Sequence, residues 1–213
     1  MLSSRTAISH KYRSLPTAVA LLMALFLPVS SAQAEEEWEL QKDDEGIQLY
    51  TRKVASSPFL EVKVTTRISS PMEKLTEVFG DGSGCAPWRN NCKSSKVLRQ
   101  ESEAERFIYM ILDLPWPISD RDLVVRSLTI TDLESQSTTV DASSVEGEYP
   151  EQDYVRAISR AQYQMHLVEP GEIDLTYTVH VDLGGDISPG LVNSQLASTT
   201  FKEIEQLVKM AEG

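Results

Sequence analysis

Cysteine is scarce in this chain: 213 residues hold only Cys85 and Cys92. A structural zinc site needs four thiolate or imidazole ligands, and nothing near this pair completes one. Histidine is scarce too. Of three, His10 lies close to the start, which leaves His166 and His180. Both sit on the polar side of alternating segments and read as exposed strand residues. No Ser or Cys stands beside either as an obvious nucleophile. There is no phosphate loop, dinucleotide fingerprint or metal-ligand spacing, so neither cofactor nor metal is expected. Basic residues are outnumbered, 20 against 32 acidic, for a net charge of −12. That excess argues against nucleic acid and against electrostatic capture by anionic headgroups. It leaves room for transient membrane contact through an apolar loop. Internal repeats and low-complexity tracts are absent as well.

No apolar run is long enough to span a bilayer. Thr17–Leu27 has 11 residues, roughly 16 Å as a helix against a ~30 Å hydrocarbon core. It follows Lys11 and Arg13 and precedes Ala32-Gln33-Ala34, the pattern of a cleaved secretory signal over residues 1–34. No Cys follows at a lipoprotein position, so a soluble periplasmic or secreted product is expected. Residues 35–213 then form the mature chain of 179 residues, enough for one domain with a sizeable core. The leader removes three bases and no acid, and 17 bases then face 32 acids, net −15. In an oxidising compartment Cys85 and Cys92 favour a disulfide, worth roughly 2–3 kcal/mol for so short a loop.

What remains is dominated by alternation. The acidic start, Glu35–Lys42, reads as a short helix, and the acids of 43–45 before Gly46 as a solvated turn. Strands are predicted at 47–54 and 59–69. A helix follows, capped by Ser70 with Pro71 in its first position, and ends at Gly80. Further strands are predicted at 96–100, 106–113, 123–131 and 137–143. Residues 106–113 are apolar on both faces and should be central. Two long strands, 155–168 and 172–183, alternate cleanly around Glu169-Pro170-Gly171, the clearest antiparallel signal here. Their length suits a strongly curved sheet. A last helix, about 189–210, carries a stripe of Ala197, Phe201, Ile204, Val208 and Ala211. Serines and threonines dilute its N-terminal half, as suits a helix roofing a cavity. The class is α+β: a long curved antiparallel sheet gripping a C-terminal helix.

Mid-chain stands Pro115-Trp116-Pro117, followed by Ile118-Ser119-Asp120-Arg121-Asp122. Two prolines cannot serve an ordinary ladder, so this is a stiff loop carrying an aromatic. The charged triplet reads as an ion-pair network fixing that loop, with Arg121 and Asp122 as structural residues.

Three segments resemble the START family of lipid-transfer domains, within the helix-grip fold. They are Trp116–Val124, the junction His180–Asn193 with its Gly184-Gly185, and Gly46–Arg52. Together the match spans about residues 38 to 211. The resemblance implies a cavity between sheet and final helix that holds one lipid or sterol-like molecule; the favoured reading adds no chemical step. Alternation offers Phe107, Tyr109 and Ile111 as lining, with Leu123 and Val125 on the next strand. Tyr163 and Met165, then Tyr177 and Val179, continue it, and each would equally fill a dry core. Phe201 and Ile204 would close it from the helix. Some family members hold an acid and an Arg on adjacent cavity strands. Here those places read Ile111 and Ser127, which leaves Ser127, Tyr109 or Tyr177 as polar anchor, with Arg126 on the opposite face. Gly190 stands where a Trp is usual. Trp88, Trp116 and Ile118, on loops, are the expected gate or membrane-touching residues.

The function expected is that of an exported, soluble, monomeric carrier of a lipid or other hydrophobic small molecule. Two other readings stay open: a cyclase- or hydrolase-like enzyme on the same fold, and a ligand-regulated partner of an envelope protein. Intact-mass measurement of the protein recovered from its host should give a chain beginning at Glu35. A product retaining residues 1–34 would remove the export reading.

Overall fold

The computed structural model describes residues 37–150 and 152–213. Residues 1–34, the segment expected as a cleaved leader, lie outside them. In chain order the elements are β1 (Glu39–Asp44), β2 (Ile47–Val54), β3 (Ser57–Ser69), α1 (Met72–Phe79), β4 (Cys92–Gln100) and β5 (Glu105–Leu112). There follow β6 (Arg121–Asp132), β7 (Ser137–Ser144), β8 (Val155–Arg156), β9 (Ile158–Glu169), β10 (Glu172–Asp182) and α2 (Pro189–Glu212). The main strands form one sheet in the order β1-β2-β3-β10-β9-β7-β6-β5-β4, every neighbour antiparallel; β8 runs parallel to β6. This is the α+β, helix-grip arrangement.

Several local expectations need correction. Residues 39–42 are strand, not helix. Glu45 and Gly46 take positive φ (50° and 79°), the backbone of a two-residue type I′ hairpin, which pairs Asp44 with Ile47. Trp38 alone gives no apolar helical stripe; its ring instead stacks under Arg52 and Lys63. The first helix starts one residue later than its signals suggest, because Pro71 stays extended in the cap position and no side chain caps it. The segment 106–113 is not central. β5 lies next to the edge strand β4. The long alternating run from 155 breaks at Ala157, whose N–H bonds to Asp122 C=O (2.8 Å).

The core lies between the concave face of the sheet and α2. Val62, Val64 and Ile68 of β3 and Ile173, Leu175 and Val179 of β10 meet Phe201, Ile204, Leu207 and Ala211 of α2. The helix is pinned to β3 at both ends. Asn193 Oδ1 accepts the Leu60 N–H (2.8 Å), and Glu212 Oε1 accepts the Ser69 N–H (2.9 Å).

A second cluster ties the Pro-Trp-Pro loop down. Ile118 packs with Leu123, Leu183 and Val192. The charged triplet acts through three separate attachments rather than one network. Asp120 pairs with Lys93 (2.6 Å). Arg121 donates to backbone carbonyls, Leu183 (2.6 Å) and Ser119 (2.8 Å) among them, which joins the loop to the β10–α2 turn. Asp122 is fully buried and takes a bidentate pair from Arg156 (2.7 and 3.0 Å). Gly184 (φ 61°) allows this closure, since a Cβ there would lie 3.1 Å from Val155 Cγ1 and 3.3 Å from Arg156 O. Removing one partner of a buried ion pair leaves an uncompensated charge, so Asp122→Ala should cost about 3–5 kcal/mol in urea unfolding. A loss below about 1 kcal/mol, the range of surface pairs, would contradict that assignment.

Candidate functional site

Between sheet and helices lies a pocket of about 370 Å³. Its floor comes from β5 (Ile108, Met110), β6 (Val125, Ser127), β7 (Val140, Ala142) and β9 (Tyr163, Met165). Its roof is α1, through Met72 and Phe79, together with the loop from Gly80 to Cys92. That loop is closed by a Cys85–Cys92 disulfide. A smaller pocket of about 90 Å³ lies under the first half of α2, lined by Leu196, Thr199, Thr200 and Glu203. These positions fall at the spacing i, i+3, i+4, i+7 of a single helix face. The diluted half of α2 is therefore the half above open space. The two pockets share Arg89, Met110, Val125 and Ala142.

The expected residues divide. Val125 lines both pockets, Ser127, Tyr163 and Met165 the larger, and Leu123, Tyr177 and Val179 the smaller. Phe107, Tyr109 and Ile111 do not. On β5 the inward side chains are Arg106, Ile108 and Met110. The reason is register. β5 pairs with β6 as Ile108↔Val125 and Met110↔Leu123, so odd positions on β6 share a face with even ones on β5. A strand apolar on both sides carries no sign of its own phase. Tyr109 packs instead against Tyr149 (centroids 4.7 Å) on the outer face. Burial there, and then the Asp122 carboxylate it hydrogen-bonds, push its phenol up to about 12. Arg126 is on the outside as expected, paired with Glu105 (2.5 Å).

Phe201 and Ile204 line neither pocket. They belong to the packed core, and Lys42 Nζ sits 3.5 Å from the Phe201 ring centroid. They are one residue round the helix from Thr200 and Glu203, which turns them toward β3.

The three expected gate residues part company. Trp116 is 92 % exposed, and its peptide to Pro117 is cis. Ile118 is buried in the second cluster. Trp88 is 1 % exposed: Nε1 donates to Val78 C=O (3.0 Å), and its ring meets the edges of Phe79 and Tyr163. It is a wall of the larger pocket. His180 is half-buried rather than exposed. Its Nε2 has no partner among the described residues, and burial holds it below its ordinary value.

Two functional candidates escaped the sequence reading. Arg89 sits between the pockets, its guanidinium over Trp88 and Nη2 donating to Tyr163 Oη (3.0 Å). Glu203 projects from α2 and accepts the Asn90 N–H (3.1 Å). Tyr163 and Tyr177 stack beside them, centroids 4.2 Å apart. Burial raises both phenols and the Glu203 carboxyl. Burial opposes the charge of Arg89, but the surrounding acidic groups, Tyr163, Tyr177 and Glu203, keep it protonated. Glu203 could have been found, since it lies three after Thr200 and four before Leu207, inside the buried face. Arg89 gives no such signal.

A model of the START domain family matches residues 24–212. An uncharacterized protein of Pseudomonas aeruginosa is 25 % identical over 197 residues, covering 91 % of this chain and 96 % of its own length. Among solved structures, the STAR-related lipid transfer protein of Xanthomonas axonopodis superimposes with a TM-score of 0.74 at 26 % identity, covering 83 % of this chain and 99 % of that one. Human StAR-related lipid transfer protein 5 gives 0.74 at 17 % identity, over 82 % and 86 %, a likeness of fold.

Truncation separates the two tryptophans. Trp88→Ala should cost about 3–5 kcal/mol in unfolding experiments, as for other buried aromatics. Trp116→Ala should stay within about 0.5 kcal/mol. Equal effects would overturn the assignment of Trp88 to the core.

Proposed function

The chain belongs to the START domain family, and from that premise we propose that it is an exported, soluble carrier that holds one hydrophobic molecule, a lipid or sterol-like compound, without chemical change. The observation that carries this reading is the apolar pocket of about 370 Å³ between the sheet, α1 and the disulfide loop. Its size falls in the ~300–1,000 Å³ range of small-molecule sites. Moving an alkyl chain from a bilayer into such a pocket is nearly neutral, because both surroundings are apolar. The protein's part is to keep the chain from water, at roughly 0.8 kcal/mol per CH₂.

The enzyme reading asked for titratable groups converging inside the cavity; Arg89, Glu203, Tyr163 and Tyr177 do gather there, but the two residues it singled out, His180 and Asp122, do not. Asp122 faces away, toward Arg156, and His180 lines neither pocket. The surface for lipid exchange in this reading is the loop that presents Trp116. A tryptophan this exposed, between two prolines, suits brief contact with a membrane interface, where indole rings are favoured. The acidic net charge makes such contact apolar rather than electrostatic.

Native mass spectrometry of protein purified from its own host should show a bound hydrophobic ligand, and the delipidated protein should take up lipid from mixed neutral vesicles. An empty protein that takes up nothing would end this reading. Trp116→Ala should slow uptake several-fold while leaving equilibrium affinity unchanged; an unchanged rate would detach the loop from exchange.

A further inference from the structure

Arg89 is the charged group that both pockets share. A guanidinium has five N–H donors. Among the described residues one hydrogen bond is made, to Tyr163 Oη, and the flat face is covered by Trp88. The side chain is half-buried and lines both pockets. Glu203, whose charge favours the cation, makes no direct pair with it. Glu203 lines only the smaller pocket, no ion pair within 4 Å joins the two among the described residues, and its Oε1 accepts the Asn90 N–H. On the other side, the larger pocket continues as Ile108, Met110, Val125 and Met165; it also carries hydroxyls such as Ser127 and Thr129, and its other cation, Arg106, donates to the carbonyls of Asp81 and Glu103. A cation with free donors thus faces mostly apolar walls, where an oxyanion would be held strongly for want of competing water.

Size narrows the class. At about 370 Å³ the larger pocket is near the bottom of the range for small-molecule sites. That suits a single chain or a compact skeleton better than a two-chain lipid. We propose that Arg89 is the head-group anchor, and that the ligand is a single-chain amphiphile bearing one oxyanion, a carboxylate or a phosphate monoester. Its chain runs from Arg89 along β5, β6 and β9 under α1. A planar guanidinium fork matches either oxyanion through two parallel hydrogen bonds. Tyr163 orients the fork, and Glu203 stands behind it on the far side.

This rests on the pocket being a hydrophobic-ligand site, and the test keeps the two apart. Delipidated protein is titrated calorimetrically with hexadecanoate, with hexadecyl phosphate and with the neutral hexadecanol. Wild type should bind one of the acids roughly ten-fold or more tighter than the alcohol, the margin of a charge-assisted hydrogen bond. Whichever acid wins names the source. In Arg89→Met that margin should vanish while alcohol binding stays. In Glu203→Gln, which removes the opposing carboxylate, acid binding should hold or tighten. Equal binding of acid and alcohol by wild type overturns the anchor and leaves the carrier reading standing. An acid preference that survives Arg89→Met also overturns it. Binding of none of the three defeats both. If Arg89→Met does not fold, the wild-type comparison and Glu203→Gln decide.

Discussion

Asp122 and Arg156 meet in a bidentate pair around a carboxylate with no solvent exposure, and much of the molecule depends on where that pair holds the chain. It draws the segment before β9 against the start of β6, and Tyr149 onto the outer face of β5 through Tyr109. With its outer face covered in this way, β5 can be apolar on both sides without exposing a greasy surface. The register with β6 then turns Ile108 and Met110 inward. A polar clasp on the outside of the sheet thus helps to fix the apolar lining inside. The arrangement has a physical cost, since burying two charges is expensive unless geometry and hydrogen bonds are complete. Here both carboxylate oxygens are paired with the guanidinium, and the Asp122 carbonyl takes the Ala157 N–H.

The second constraint is the attachment of α2. Protein interiors normally close on their voids, because unfilled space forfeits dispersion contacts. Two features oppose closure here. The helix is pinned to β3 near its first turn by Asn193 and at its last by Glu212, so it cannot settle onto β5 and β6. Its C-terminal half is packed by Ile204, Leu207 and Ala211, whereas the other half meets open space with Leu196, Thr199 and Thr200. Opposite, the disulfide loop is held by Trp88, whose indole bonds to α1 and wedges between Phe79 and Tyr163. The pocket survives between two roofs, each anchored elsewhere.

This division explains what could be read from the sequence. Alternation gave the strands, because one face of an antiparallel sheet is dry and the other wet. It gave the correct phase on β6, β9 and β10; the polar face is clear on β9 and β10, whereas β6 carries Ser127 and Thr129 inward and Val124 outward. It failed on β5, where Phe107, Tyr109 and Ile111 are as apolar as their neighbours and only the cross-strand register decides. The dilution of α2 correctly marked the half above open space. The stripe analysis then put Phe201 and Ile204 toward the pocket, although a 100° step per residue turns them to β3 and leaves Thr200 and Glu203 facing it. For Trp88, loop position suggested exposure. Its burial follows from a disulfide that shortens the loop and from contacts with α1 and Tyr163, both distant in sequence. Arg89 was illegible for the same reason, since its surroundings are assembled from β9, β10 and α2.

Arg89 is also the residue hardest to account for as packing alone. Placing a guanidinium inside the fold carries a desolvation penalty of several kcal/mol, against which stand one hydrogen bond to Tyr163, the face of one indole and the more distant charge of Glu203. A methionine would fill the same volume among Met110, Val125 and Met165 without that penalty. The carboxylate that could balance the charge, Glu203, is bonded instead to the backbone of the disulfide loop, and burial favours its protonated form. An oxyanion from a ligand would complete the set, and a purely apolar ligand would leave the penalty in place. The unbalanced donors therefore give the pocket a polarity that its aliphatic walls lack, with the head of a ligand at the boundary of the two pockets and its chain toward α1.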